Sequence, residues 1–204
     1  MKKYVFVFVI IFIICIIIAY KLLNSGNNIS KSDDNNILNI SSYEAIAEIE
    51  IYSNKNTNKY ILNQKYAEPN IFRQEVIEPK NMKGFSITYD GENLTLENNS
   101  IGLRNTYENY NVISSNSLSL INFIEEYKKD EKAEVSETEN EKIIKIKING
   151  SNNKYEMYKR LHIDKRSNLP TKIEILDVNE NITVYILYRE ITLNKTSKEE
   201  ILAN

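Results

Sequence analysis

From Tyr43 onward, apolar residues fall largely on every second position, the period of a strand with one buried face. In "EAIAEIEIY" the residues Ala45, Ala47, Ile49 and Ile51 share one face, while Glu44, Glu48 and Glu50 share the other. "KYILNQKY" and "NIFRQEVIEP" follow, with Pro69 and Pro79 punctuating the strand ends. "FSITYDGENLTLENN" predicts a hairpin: Phe85, Ile87 and Tyr89 lead into Asp90-Gly91, and Leu94 and Leu96 return. In "KIIKIKING" the residues Ile144, Ile146 and Ile148 point inward and Lys145 and Lys147 outward. "YEMYKRLHID", "TKIEILD" and "NITVYILYREITLN" predict three successive antiparallel strands, with corners at "KRSNLP" and "DVNEN".

Two segments break this rhythm. In "SNSLSLINFIEEYKKDEK" the residues Leu120, Phe123, Ile124 and Tyr127 recur at helical spacing, with Ser117 or Ser119 as N-cap and Lys128 and Lys129 suited to the C-terminal dipole. The second is the start of the chain, where Val5 to Ala19 is uninterruptedly apolar behind Lys2 and Lys3. This reads as an exported or anchoring segment, cations on the cytoplasmic side. With Tyr4, Tyr20, Leu22 and Leu23 it reaches roughly 20 positions, enough for a layer of about 30 Å. The expected membrane span covers residues 1–23, with Val5, Ile10, Cys15, Ala19 and Leu23 along it. Residues 24–36, "NSGNNISKSDDNN", read as a flexible polar stalk, and 37–204 as the β domain. Residues 37–43 could add a short helix before the first strand. A mainly antiparallel α+β domain of about eight to ten strands, with one main helix on one face, is the simplest layered solution.

Cys15 is the only cysteine. A lipid-attachment site places a small residue before the cysteine; here Ile14 precedes it and Ile16, Ile17 and Ile18 follow. That pattern argues against lipidation and for an apolar residue inside an uncleaved anchor. Past Leu23 there is no thiol for a disulfide or thiolate metal site. Setting aside Lys2, Lys3 and Lys21 leaves 23 of the 26 basic residues against 28 acidic ones. An acidic balance of this kind is no footprint for nucleic acid.

Candidate chemistry is sparse. His162 is the only histidine, on the strand face shared with Tyr158 and Arg160. A triad with Asp164 lacks a nucleophile elbow, and one histidine cannot build a zinc site, so it reads as structural or solvated. The carboxylates Glu48, Glu50, Glu75, Glu78, Glu125 and Glu126, and the run "DEKAEVSETENE", read as solvated faces. Five glycines leave no phosphate-cradling loop, and no cofactor is expected. Tyr60, Tyr66, Tyr89, Tyr107 and Tyr110 could line a peptide or glycan site, or simply be sheet residues.

Three stretches resemble the lipoprotein-carrier fold of LolA and LolB, and in particular the GerS and GerS-related germination proteins of spore-forming bacteria. They are "YAEPNIFRQEVIEPKNMKGFSITYDGENLTL", "SLINFIEEY" and "LHIDKRSNLPTKIEILDVNENITVYILYREITLN". The resemblance implies a curved half-barrel sheet with the helix on its concave face. It implies a non-catalytic exported protein that binds and activates a cell-wall amidase acting on spore cortex peptidoglycan. The alternative it carries is a binder of lipid or of an acylated protein in an apolar cavity. That groove, or otherwise plain core, would involve Ile49, Ile51, Leu62, Phe85, Ile87, Leu120, Phe123, Ile144 and Ile146.

Overall fold

A computed structural model of the chain describes residues 39–110 and 117–203. The expected anchor over 1–23, including Cys15, and the stalk over 24–36 lie outside the described residues. Among the described residues no helix is long and apolar enough to cross a membrane.

Eleven strands form one open, curved antiparallel sheet. They are β1 (Ser42–Tyr52), β2 (Thr57–Ala67), β3 (Ile71–Glu78), β4 (Phe85–Tyr89), β5 (Leu94–Asn98), β6 (Leu103–Tyr107), β7 (Glu134–Glu137), β8 (Glu141–Lys147), β9 (Tyr158–Asp164), β10 (Pro170–Leu176) and β11 (Ile182–Leu193). Their order across the sheet is β6-β5-β4-β3-β2-β1-β11-β10-β9-β8-β7. The first and last strands therefore meet in the middle, and β6 and β7 are the two edges. The expected eight to ten strands fall short of this count because the alternating pattern does not mark β6 and β7. Each has one neighbour and little apolar contrast, and "LRNTY" and "EVSE" are held by backbone pairing and by exposed ion pairs such as Arg104–Glu97 and Lys165–Glu137. The start of β1 at Ser42 also replaces the last two residues of the short helix expected over 37–43.

The chain passes from one edge to the other through helix α1 (Leu120–Lys129), which crosses the inner face of the sheet. Ser119 is its N-cap, the hydroxyl accepting the Asn122 N–H. Leu120, Phe123, Ile124 and Tyr127 are fully buried against Ile49, Ile144, Ile146, Leu161, Ile173, Ile175 and Ile186. At its C-terminus Asp130 is itself buried, and its carboxylate accepts the backbone N–H of Lys147 at 3.1 Å and of Lys132 at 2.8 Å. A short second helix, α2 (Lys198–Leu202), is closed by a capping box between Ser197 and Glu200, and its Ile201 packs on Ala67 and Ile71.

The outer face is laid out in ion pairs. Glu44 meets Lys65, Glu48 meets Arg189, Glu50 meets Lys59 and Glu75 meets Arg73. Glu50 is held below the usual carboxylate range by its hydrogen bond from Lys59 and, next, that from Tyr52. In the β4–β5 hairpin, Asp90 accepts the N–H groups of Asn93 and Glu92, while Gly91 takes the positive φ of 104° that the turn requires.

A cavity beside the helix and two open edges

Helix α1 begins over β1 and β2, where Gln64 donates to the Leu118 carbonyl at 3.2 Å. It ends over β8 and β9, where Asp130 takes the Lys147 N–H. Beside its first turns, on the β2–β3 side, lies a cavity of about 150 Å³. Tyr43, Tyr66 and Phe72 supply aromatic walls, Gln74 comes from β3, and Asn122 and Glu125 from the helix. The alternation of the strands puts these rings together: Tyr43 pairs with Tyr66, and Tyr66 with Phe72, so all three point to the inner face. Tyr43 and Tyr66 stack with centroids 5.9 Å apart, and Phe72 in turn lies 5.6 Å from Tyr89. Burial pushes the Tyr66 phenol up to about 12, with the nearby charges of Glu68 and Glu125 adding to it. Tyr43 is raised further by its burial, which a backbone hydrogen bond at Leu120 opposes only partly.

One cation enters the inner face. Lys159 is 1% exposed and lies under α1, with Glu126 at 2.8 Å and a hydrogen bond to Asn122. Desolvation holds its pKa below the usual lysine value, and the bond to Glu126 pulls the other way. At the far end of the helix an open groove of about 690 Å³ is lined by Lys129, Lys132, Lys145 and Lys147. Asp130, Glu131 and Glu134 lie among those lysines, and Lys145 already bonds Glu180 at 2.7 Å. It is therefore a mixed surface, not a basic one.

The two edges differ. β6 is largely exposed and carries Arg104, Asn105 and Thr106, with Tyr107 and Tyr110 as a tilted, exposed aromatic pair at 6.5 Å and Ile101 72% exposed beside it. β7 begins and ends on carboxylates, Glu134 and Glu137. Like charges along an edge discourage pairing with another strand; β6, with a single cation and an aromatic pair, leaves its backbone groups available.

The residues singled out in the sequence fall into place as follows. Ile49, Leu62, Leu120, Phe123, Ile144 and Ile146 are buried in the main core, and Ile51 and Phe85 pack partly buried against it. Ile87 is half-buried and outside that cluster, opposite Gln74. His162 is 5% exposed on the outer face, between Glu141 at 3.3 Å and Glu174 at 3.4 Å. The hydrogen bond with His162, followed by the charge of Arg160, lowers the pKa of Glu174. Asp164 does not face His162 as a triad partner. Its carboxylate accepts the N–H of Ser167 and Arg166 in the β9–β10 turn. Among the described residues no cluster of side chains could hold a metal ion. Of the tyrosines, Tyr66 lines the cavity, Tyr89 backs Phe72, and Tyr107 and Tyr110 mark the β6 edge. The cavity residues Phe72, Gln74 and Asn122 carry no sequence signal of their own. Gln74 and Asn122 stand on inner faces where an apolar residue is expected, and that misfit is the one available clue.

The described residues thus form an open sheet crossed by one helix, with a small mixed cavity beside that helix. The chain belongs to the YdcC-like sporulation protein family, whose pattern matches residues 1–202. No curated protein matches the sequence. Among solved structures, the chain is similar to one described as the CwlD amidase from Clostridioides difficile in complex with the GerS lipoprotein. Identity is 26% over 82% of this chain and 91% of that one, with a TM-score of 0.46. An uncharacterized conserved protein from Thermus thermophilus shares the fold at 10% identity and TM-score 0.51, over 83% and 92% of the two chains. The LolA superfamily protein NE2245 from Nitrosomonas europaea is similar at 11% identity and TM-score 0.41, over 82% and 96%.

Proposed function

We propose that this chain is a non-catalytic, exported protein, tethered to a membrane by residues 1–23, that acts in sporulation by binding and activating a cortex peptidoglycan amidase. The observation that carries the reading is membership of a sporulation family across residues 1–202, a match that includes the apolar leading segment. The partner class comes from the GerS-type resemblance of the three stretches quoted above. The geometry supports binding: β6 is an open edge with exposed Tyr107, Tyr110 and Ile101, the kind of surface that takes a partner strand or an aromatic anchor. The carrier alternative needs a cavity of roughly 300 Å³ or more. The cavity beside α1 is about 150 Å³, and of the apolar residues expected to line a groove all but Ile87 lie in or against the main core.

The test uses the full chain in lipid nanodiscs, mixed with the purified cortex amidase of the same cells. A complex of near-equal stoichiometry with a faster release of peptide from peptidoglycan supports the proposal. No complex and an unchanged rate overturn it, and recovery of tightly held acyl lipid without a protein partner transfers the assignment to the carrier. Intact-mass analysis tests the tether: an uncleaved chain with unmodified Cys15 is expected, and a diacylglyceryl adduct would replace the helical anchor with a lipid one.

A further inference from the structure

We propose that the cavity beside α1 is a glycan site that seats one N-acetylated sugar ring. Its walls have the chemistry such a ring needs. The apolar C–H face of a pyranose packs on aromatic faces, which Tyr66 and Phe72 supply on adjacent strands. Its hydroxyl and acetamido groups need short polar partners. The carboxamide of Gln74 comes from the sheet side and the Glu125 carboxylate from the helix side; Asn122 also borders the cavity, but its carboxamide oxygen is taken by Lys159. Glu125 makes no ion pair among the described residues, so its carboxylate is available to accept hydroxyl hydrogen bonds. Lys65 also borders the cavity, but its ammonium group pairs with Glu44 on the outer face, so the charge facing the cavity is that of Glu125, which favours hydroxyl donors over an anion such as phosphate.

Size narrows the ligand further. A volume of about 150 Å³ is near half the lower limit for drug-sized ligands, room for one ring and not for an extended acyl chain. Other polar features of the molecule are already used: Lys159 by Glu126 and Asn122, and His162 by Glu141 and Glu174. The inference rests on the proposed function only in that an exported protein acting at the cell wall meets N-acetylated glycans. It does not require the amidase.

The test is saturation-transfer NMR on the full chain in nanodiscs with N-acetylglucosamine as probe and no amidase present. Transfer to the ring and acetamido protons is expected, with binding about tenfold weaker in Glu125→Ala, a loss equivalent to one hydrogen bond to a charged group. Phe72→Ala should abolish transfer, and Tyr107→Ala on the β6 edge should leave it unchanged. Because Phe72 also packs on the core, the surface variant Glu125→Ala decides if Phe72→Ala fails to fold. Absence of transfer at tens of millimolar sugar overturns the proposal. So does transfer to laurate in place of the sugar, which marks an acyl site, or to arginine amide in its place, which marks a socket for a protein side chain. An amidase that fails to bind leaves this result standing, and a sugar that fails to bind leaves the amidase result standing.

Discussion

The two arms of the sheet meet at β1 and pack by different rules. In β8 to β11 the inner face is aliphatic, and Ile144, Leu161, Ile173, Ile175 and Ile186 are all fully buried under α1. In β2 to β6 it changes to Leu62, Gln64, Tyr66, Phe72 and Gln74, and burial falls away until β6 is exposed. Branched aliphatic side chains interdigitate closely and leave no room for a ligand. Rings and carboxamides leave irregular gaps, and the cavity beside α1 is such a gap. One arm holds the helix, and the other leaves a cavity beside it.

The largest contrast should appear on truncating matched inner-face residues. Ile173→Ala should cost about 3 kcal/mol, a buried aliphatic losing its packing, and Leu96→Ala on half-buried β5 about 1 kcal/mol. Urea unfolding checks both, and equal losses would erase the distinction between the arms. The polar intrusion in the aliphatic arm comes next. Glu126→Ala strands the buried Lys159 charge and should cost about 3 kcal/mol, whereas Lys159→Met leaves only the partly exposed Glu126 and should cost about 1 kcal/mol. The double variant Lys159→Met/Glu126→Leu should match or exceed the wild-type stability. If it falls below both single variants, the pair contributes more than its desolvation removes.

The aromatic arm should show itself at alkaline pH. The Tyr66 phenol titrates near 12 in the folded chain and near 10 when unfolded, so between those values the folded state holds the extra proton. Its stabilising contribution is therefore complete below about pH 10 and lost as pH rises toward 12, by about 2 to 3 kcal/mol. Tyr66→Phe should lack that loss, so the stability difference between the two should move against the wild type by about 2 to 3 kcal/mol across this window in denaturant titrations. The smallest effect lies where the arms join. Ser119→Ala removes the α1 cap and should cost about 1 kcal/mol, with no change in the slope of the urea transition.

Nine strands and the main helix are legible in the sequence because each has two unlike faces. "EAIAEIEIY" alternates because Glu48 and Glu50 meet cations on one side while Ala47 and Ile49 meet α1 on the other. β6 and β7 lack that contrast, since an edge strand gains little from burial and its pairing depends on backbone groups common to every residue. Lys159 is obscured for a related reason. In "YKRLHID" it stands on the inner face beside Leu161, and only the separate approach of Asn122 and Glu126, more than thirty residues earlier, satisfies it there. The cavity is legible only in part: Tyr66 belongs to the tyrosines weighed for a glycan, but which rings converge is set by register across three strands.

The meeting of β1 and β11 at the centre of the sheet has a mechanical consequence. Ser41 donates to the Asn194 side chain at 2.8 Å, and the Asn194 N–H returns to the Ser42 carbonyl at 2.8 Å, so the start of β1 and the end of β11 are tied at one point. A pull arriving through residue 41 runs along the axis of β1, which is paired over its length with β2 on one side and β11 on the other. Both ladders must then slip together in shear; they cannot be unzipped one bond at a time. A load applied there meets the two central ladders first.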